Sequence, residues 1–401
     1  MPNKKAIAAK ENVYYGNTYW NDLPLVAKEI NQRITGSPST TWYDHFFKTH
    51  KGPFKKILIL NCGNGWLERE LYGQGYISGE VVGIDYSKDL LKTARSEAKS
   101  LSGLSYYQMD TNAAKFPGEN YDLIINLASA HHIAYINRVF CSLLKIISKD
   151  GLFLNYDYVG PHRNQYPVKQ WLAVWELNEK LPKKIRQDMR YPHLPTMLAT
   201  DPSEAIHSEL ILETTKRYFD IDFIKPSGGA LAYLLITHNQ TMFKASKKSA
   251  HESLRLIMKE DKKYLSLFPD ESMFAYWVAK PKKAVLKRKS ALAAYQKEEN
   301  FRERSAAKNG GQYYDLQPIQ RLYLELSDLR IAKEHKELTI HELQQTLSSQ
   351  QKIIDDLNKR FRLIYGSPVW KLAAVAARAY KAGLGKARSP ADNRSSTRSK
   401  K

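Results

Sequence analysis

The chain has 401 residues, which suffices for one large domain with appendages or for two domains, and its ordinary apolar content can form a sizeable core. Two cysteines exclude a disulfide framework and favour a reducing compartment, and neither a secretory signal nor an apolar run of about 18 residues is evident. The net charge of +21 is uneven, because residues 1–280 carry 36 basic and 29 acidic side chains whereas residues 281–401 carry 26 and 12. The basic excess therefore predicts a C-terminal segment that binds an acidic surface.

Strands and helices are predicted to alternate along the first two thirds of the chain. Residues 1–50 are expected to form an aromatic-rich helical lid, and residues 51–280 the main domain. Strands are predicted at 54–60, 80–85, 106–109, 121–127, 151–159, 219–224 and 273–278, with helices at 65–74, 87–101 and 135–148. The Pro-rich, mostly helical residues 162–217 are predicted to be an insertion that covers a pocket. The pattern predicts an α/β fold with a doubly wound, mostly parallel seven-stranded sheet.

The composition changes at residue 281. Residues 281–315 are basic and contain a Gly-Gly pair, which predicts a linker. Residues 316–364 carry a heptad pattern with ten of 13 seam positions apolar, which predicts a coiled coil; a single amphipathic helix docked on the main domain is the alternative. Residues 365–388 predict a basic amphipathic helix, with Trp370 near its start, that suits an anionic membrane surface. Residues 389–401 are expected to be disordered.

Three predicted strands end in residues that suit a nucleoside ligand. The apolar run that ends at Leu60 is followed by a glycine-bearing turn, where the backbone can bend sharply and the next helix directs its free N–H groups. The second strand ends at Asp85, about 20 residues further on, where a carboxylate can accept hydrogen bonds from ribose hydroxyls. The third ends at Asp110, which suits an adenine amino group. These features alone also fit dinucleotide-binding enzymes.

The ordered set of these strand ends, together with the His131–His132 pair after strand four, resembles the class I S-adenosylmethionine-dependent methyltransferases. That family's first loop usually contains an acidic residue and three glycines; here Ile59 and Asn61 stand at the positions of the acid and the first glycine. The resemblance implies S-adenosyl-L-methionine as cofactor, with these candidate contacts: Asn61, Cys62, Gly63, Gly65, Asp85, Tyr86, Asp110, Thr111 and Asn126. A nicotinamide-binding Rossmann domain is the alternative, but its third glycine and second half are not evident.

Two histidines follow strand four at the expected ligand crevice. A neutral imidazole is a competent general base, so His132, with His131 as second choice, is the predicted base for an acceptor hydroxyl. The alternative is that one caps the next helix, the other packs, and catalysis relies on positioning. Substrate contacts are predicted at Asp157, Arg163, Tyr15 and Tyr19, the tyrosines being equally suited to core packing. No metal is predicted, because no Cys/His cluster has zinc spacing.

The segment 365–372 behind a coiled coil resembles a C-terminal arrangement of bacterial glycosyltransferases and methyltransferases of surface-polysaccharide assembly, and residues 157–165 resemble a motif of methyltransferases in such settings. The resemblance implies a saccharide or lipid-linked glycan acceptor and a cytoplasmic enzyme on the inner membrane face, assembled as a homo-oligomer through the coiled coil. Two alternatives stay open. One is an RNA methyltransferase that uses the basic tail, although the chain lacks an aromatic-basic RNA motif. The other is a non-catalytic scaffold that assembles partners through the coiled coil.

Overall fold

A computed structural model describes residues 19–237, 239, 242, 248–308 and 318–386. The strands are β1 Lys56–Leu60, β2 Glu80–Asp85, β3 Leu104–Gln108, β4 Tyr121–Leu127, β5 Ile147–Tyr158, β6 Phe219–Gly228 and β7 Phe274–Pro281. They form one sheet in the order β3-β2-β1-β4-β5-β7-β6. Strands β1 to β5 pair in parallel, and β7 lies antiparallel between β5 and β6. The predicted α/β fold with a mostly parallel seven-stranded sheet is confirmed.

Helices cover both faces of this sheet. In chain order, the helices of the described residues are α1 Pro24–Thr35, α2 Trp42–Thr49, α3 Trp66–Gly73, α4 Lys88–Glu97, α5 Ile136–Ile146, α6 Val168–Glu179, α7 Leu194–Thr200, α8 Ile211–Tyr218, α9 Ala232–Ile236, α10 Lys248–Leu267, α11 Lys289–Lys308, α12 Pro318–Gly366 and α13 Pro368–Lys386, of which α12 from residue 329 on and α13 belong to a separate unit. In β1, Ile57 and Ile59 enter the core under α1 to α4, whereas Leu58 and Leu60 enter the core under α5 and α8. Because both faces are buried, β1 is continuously apolar from Ile57 to Leu60, as is typical of a central parallel strand.

The N-terminal aromatic residues pack partly into the core. Trp20 is 2% exposed, and its ring centroid lies 5.5 Å from that of Phe274 and 6.1 Å from that of Tyr233. Tyr19 lies just before this residue, and its backbone N–H donates to Asp22. The predicted lid residue Tyr15 is outside the described residues. The part of this segment that is described therefore favours the packing alternative.

Residues 281–308 differ from the predicted linker. They contain a short 3-10 turn and helix α11, and Glu299 of α11 is buried. The Glu299 carboxylate accepts hydrogen bonds from the backbone N–H groups of Asn137 (2.7 Å) and Arg138 (3.3 Å), at the start of α5. A carboxylate there satisfies free N–H donors and complements the helix dipole. This segment is therefore part of the folded domain.

The chain divides into two compact units, residues 1–328 and 329–401. Helix α12 is continuous through the predicted coiled-coil segment, and large apolar side chains along it, such as Leu343 and Leu347, are exposed. The exposed apolar positions fit a coiled coil, which stays a prediction. Among the described residues, no helix is both long and apolar enough to cross a membrane.

Candidate active site

The turn between β1 and α3 has a left-handed backbone at three positions. The φ angles are 46° at Asn61, 58° at Gly63 and 72° at Gly65. At Gly65 a Cβ would lie 2.6 Å from the hydroxyl of Tyr106 and 3.0 Å from the Cβ of Ala94, so the turn packs directly against α4 and β3. Asn61 takes the positive φ of the missing glycine, which asparagine tolerates better than most residues.

Asp85 at the end of β2 holds this turn. One of its carboxylate oxygens accepts the Gly63 N–H at 2.8 Å, and the other accepts the Ser87 N–H at 2.7 Å. Burial raises the pKa of the Asp85 carboxyl, and the hydrogen bonds from Ser87 and Gly63 oppose that change. The carboxylate is 8% exposed beside glycines that leave the backbone bare, so the residues present fit a nucleoside group at this strand end.

The other predicted cofactor residues lie in three different settings. Thr111 is buried, and its hydroxyl donates to the side-chain oxygen of Asn61 at 2.5 Å. Asp110 and Tyr86 are exposed at the edge of the sheet, where Asp110 accepts the Asn112 N–H at 2.8 Å. Asn126 is buried, donates to Asp157 at 2.8 Å and accepts from the Ser129 hydroxyl at 2.7 Å. Asn126 therefore supports the histidine side of the crevice, whereas a cofactor role was predicted.

The Asp157 carboxylate organises the end of β4. One oxygen lies 2.6 Å from Nδ1 of His131. The other accepts the backbone N–H groups of Ala130 at 2.6 Å and Ser129 at 3.1 Å, besides the Asn126 amide. Asp157 is only 1% exposed and orients His131, and its predicted contact with an acceptor stays a prediction.

Electrostatics separates the two histidines. Burial lowers the pKa of His131, but the charge and hydrogen bond of Asp157 outweigh it and raise the value to about 9. Burial raises the pKa of Asp157, but His131 outweighs it, so the Asp157 value lies below its ordinary range. Burial and the neighbouring His131 lower the pKa of His132. The centroids of the two imidazole rings lie 4.2 Å apart. The His132 side chain is 28% exposed and that of His131 is 7% exposed, so His132 is the more accessible.

A loop that sequence reasoning missed completes this cluster. Ser203 Oγ lies 3.1 Å from Nδ1 of His132, and Glu204 Oε2 lies 3.8 Å from its Nε2 and 4.0 Å from Nε2 of His131. The nearby Asp201 carboxylate lies 3.9 Å from Nδ1 of His132. The local signal is the pair of acidic residues Asp201 and Glu204 inside the predicted, mostly helical insertion 162–217, and it gives no indication of their partners.

Arg163 holds that loop in place. It is 3% exposed, and its Nη1 donates to the backbone carbonyl oxygens of Pro202 (2.6 Å) and Glu204 (3.1 Å). The guanidinium was predicted to face an acceptor. The structure instead uses it to anchor the backbone next to the histidines, and an acceptor contact for Arg163 stays a prediction.

A buried carboxyl lies beneath the glycine turn. Glu68 on α3 is 0% exposed, and a Cβ at Gly83 of β2 would lie 2.8 Å from its Oε1. Neither carboxylate oxygen has a hydrogen-bond partner of good geometry in the described part of the chain. Burial raises the pKa of Glu68 to about 7, against smaller opposing effects that include the Cys62 thiol. This group is close to the cofactor turn but beneath it.

Comparison with known proteins agrees with this geometry. Residues 58–155, which span β1 to most of β5, match a family described as "Methyltransferase domain". EEF1A lysine methyltransferase 4 of Bos taurus is 21% identical over 171 residues, 37% of this chain and 66% of that protein. The fatty-acid O-methyltransferase of Mycolicibacterium smegmatis is 25% identical over 122 residues, 29% and 40% of the two chains. The chain thus spans less than two thirds of each of these relatives.

Among solved structures, geranyl diphosphate methyltransferase in complex with GPP and sinefungin is similar, with 12% identity, a TM-score of 0.38 and coverage of 59% of this chain and 75% of that one. Taken with the family match, the fold and the strand-end residues define a methyltransferase domain of the S-adenosylmethionine-dependent class. S-adenosyl-L-methionine is the cofactor that fits the turn at Gly63 and the carboxylate of Asp85.

Proposed function

We propose that this chain transfers the methyl group of S-adenosylmethionine to an acceptor hydroxyl held beside His132. The observation that carries the proposal is that the carboxyl edge of the parallel strands has two neighbouring parts, one with the candidate cofactor residues and one with the histidines. Strands β1 to β3 end in the cofactor residues Gly63, Asp85 and Asp110, and the adjacent strands β4 and β5 lead to His131 and Asp157. In such sheets ligands bind in the crevice outside the carboxyl ends of the strands. A methyl donor and a nucleophile bound there meet at short range.

The bound cofactor supplies an electrophilic methyl group, and the chain's own residues do the rest. Asp85 and the glycine turn bind and orient the nucleoside end. Asp157 fixes the ring of His131, and His132 has the ring nitrogen that is more accessible to an acceptor. A hydroxyl must lose its proton as the methyl group is transferred, and the cluster of His131, His132 and Glu204 is the group that removes it in this proposal. The choice of His132 within the cluster stays a prediction.

We favour a saccharide or lipid-linked glycan as acceptor. The support is the resemblance of segments 157–165 and 365–372 to those of surface-polysaccharide enzymes. By their names, the fatty-acid O-methyltransferase relative acts on an oxygen acceptor, whereas the other relative acts on a lysine of EEF1A. Both classes are therefore tested as competing acceptors.

The helical unit suits a membrane-proximal enzyme in this proposal. Helix α13 is basic and exposes Trp370, as an interfacial helix would. Helix α12 exposes apolar residues at heptad spacing, among them Leu343 and Leu347, which a second copy of the chain would cover. Full-length protein should sediment with vesicles that contain anionic lipid and should be dimeric or larger by light scattering. A Leu343→Lys, Leu347→Lys double variant should be monomeric.

The acceptor is identified with full-length protein and methyl-labelled S-adenosylmethionine. Four pools are offered: lipid-linked glycans, fatty acids, EEF1A protein and RNA. Label in the glycan pool, lost in Asp85→Asn and His132→Ala but kept in the surface variant His251→Ala, supports the proposal. Label in another pool would support methyltransferase activity but would refute a glycan as the acceptor. Label in RNA would also explain the basic tail.

The scaffold alternative has a different signature. Calorimetry with S-adenosylhomocysteine would show no binding to the full chain, while removal of residues 329–401 would abolish capture of protein partners. Binding of S-adenosylhomocysteine that Asp85→Asn weakens at least tenfold would exclude this alternative, because a carboxylate that hydrogen-bonds a ribose contributes more than about 1.4 kcal/mol.

A further inference from the structure

Three side chains of the ligand type used by transition metals converge at the histidine end of the crevice. His131, His132 and Glu204 each offer one ligand atom, and these atoms all lie within 4.8 Å of one another. Oε2 of Glu204 lies 4.0 Å from Nε2 of His131 and 3.8 Å from Nε2 of His132. Two atoms that each bind one Zn²⁺ at about 2.1 Å can be separated by up to about 4.2 Å. The two separations from Glu204 are within that limit, and the two histidine nitrogens, at most 4.8 Å apart, would close by at most about 0.6 Å to reach it.

The far side of each imidazole is held as in a metal site. Nδ1 of His131 lies 2.6 Å from Asp157, and Nδ1 of His132 lies 3.1 Å from Ser203 Oγ, which in turn donates to Asp201 at 2.6 Å. Histidines that bind metals almost always donate the other ring N–H to a carboxylate or a similar acceptor, which fixes the ring and the tautomer. Here both rings are held through Nδ1, so both Nε2 atoms face Glu204.

The charge of the cluster also favours a cation. Three carboxylates, Asp157, Asp201 and Glu204, surround the two imidazoles, and the Asp157–His131 pair is buried. Asp157 is the buried one of the three and is paired with His131, whereas the Asp201 and Glu204 side chains are 45% and 27% exposed; a divalent ion between the imidazoles and Glu204 would place positive charge among all three carboxylates. The loop that supplies Glu204 is itself anchored by Arg163, whose Nη1 donates to backbone carbonyls of that loop.

We propose that His131, His132 and Glu204 bind a divalent first-row transition metal ion, of which Zn²⁺ is the representative. Two imidazole nitrogens and one carboxylate oxygen suit Zn²⁺, Fe²⁺ or Co²⁺ better than the oxygen-preferring Mg²⁺ and Ca²⁺. Three protein ligands would leave at least one coordination position for another ligand, as in catalytic zinc sites. Spacing rules predicted no metal, because two adjacent histidines and a distant glutamate form no recognisable motif.

The ion would change how the acceptor is bound. An oxygen-bearing acceptor would coordinate the ion, which would lower the pKa of its hydroxyl so that the proton is released to water before methyl transfer; His131, His132 and Glu204 would then be ligands, and none of them the free base. This consequence for the acceptor rests on the proposed function. The metal site itself does not, because it is tested without cofactor or acceptor.

The test uses full-length protein freed of metal by a chelator. Titrations with Co²⁺, followed by visible absorption, and with Zn²⁺, followed by calorimetry, are expected to give one ion per chain. Affinity should fall at least tenfold in Glu204→Gln and in His132→Ala, and should be unchanged in His251→Ala, which removes an exposed imidazole elsewhere. Thermal melting checks that each variant is folded, and Glu204→Gln keeps the shape of the side chain if His132→Ala is unstable.

Three results would overturn the proposal. The first is no metal binding by the wild type, and the second is wild-type metal affinity in both Glu204→Gln and His132→Ala. The third is a loss of metal binding confined to His207→Ala. The last variant addresses a second group of possible ligands, His162, His207 and Glu209. Failure of the metal titration would leave methyl transfer untouched, since that activity is measured separately with labelled cofactor.

Discussion

The buried carboxyl of Glu68 should make the stability of the methyltransferase domain depend on pH. Burial raises its pKa from 4.5 to about 7. A carboxyl whose folded pKa exceeds its unfolded pKa binds more protons in the folded state, so stability falls as pH rises from about 4.5 to about 7 and is constant beyond that range. At 1.36 kcal/mol per pKa unit, the full effect is roughly 3 kcal/mol, of which about 2.5 kcal/mol develops between pH 5 and pH 8.5.

The substitution Glu68→Gln removes the ionisation and keeps the shape. Relative to the wild type, Glu68→Gln should be about 2.5 kcal/mol more stable at pH 8.5 than it is at pH 5, because only the wild type loses stability over that range. The difference between the two pH values is the measured quantity, because the cost of burying the amide itself is the same at both. Urea unfolding followed by circular dichroism supplies it, with the exposed Glu119→Gln as control.

Two outcomes would refute this reasoning. Equal effects of Glu68→Gln at both pH values would mean that the carboxyl is paired or hydrated in the folded protein. A Glu68→Gln substitution that stabilises the protein more at pH 5 than at pH 8.5 would mean that folding lowers the pKa of Glu68 and does not raise it.

Three further predictions follow from the packing of other residues. Gly65→Ala should weaken S-adenosylhomocysteine binding at least tenfold in calorimetry, because a Cβ would meet the Tyr106 hydroxyl at 2.6 Å, whereas Gly36→Ala, also at positive φ but with open space around it, should not. Asp157→Asn should lower Co²⁺ affinity by about 10- to 100-fold, because it replaces the charged outer hydrogen bond to His131 with a neutral one. Glu299→Ala should lower the free energy of unfolding by about 1 kcal/mol, because it leaves N–H donors of α5 unpaired.

Each has an opposing result. Equal cofactor affinity in the two glycine variants would show that the space at Gly65 is not what limits binding. Unchanged Co²⁺ affinity in Asp157→Asn would show that the ion does not depend on the orientation of His131. Unchanged stability in Glu299→Ala would show that the contact between residues 281–308 and α5 does not stabilise the domain, as expected for a linker.

The parts of the site that were predictable are those encoded within one strand and its end. Asp85 follows an apolar strand at a spacing that many nucleotide-binding folds share, and it lies where that spacing predicts. The positive φ at Asn61 is a conformation that asparagine adopts more readily than most residues, so the side chain is compatible with it. In both cases the local sequence fits the local geometry, and the parallel sheet brings the strand ends together.

The parts that were missed depend on tertiary contacts between distant segments. Asp157 and Arg163 have the chemistry of substrate-binding groups, and only the fold shows that Asp157 also orients His131 and that Arg163 also anchors the loop at Glu204; their acceptor contacts stay predictions. Glu299 lies in a basic stretch that looks like a linker, yet its partner is the start of a helix more than 160 residues earlier. No periodicity or composition reports such pairings.

Asn61 stands where the family's loop usually has its first glycine, and its hydrogen bond with Thr111 gives this difference a structural benefit. A glycine could supply the same φ but would leave the Thr111 hydroxyl without this partner. The carboxamide fastens the tip of the first strand to the tip of the third before any ligand arrives. A loop that is already ordered loses less conformational entropy on binding, so Asn61 trades the freedom of a glycine for preorganisation.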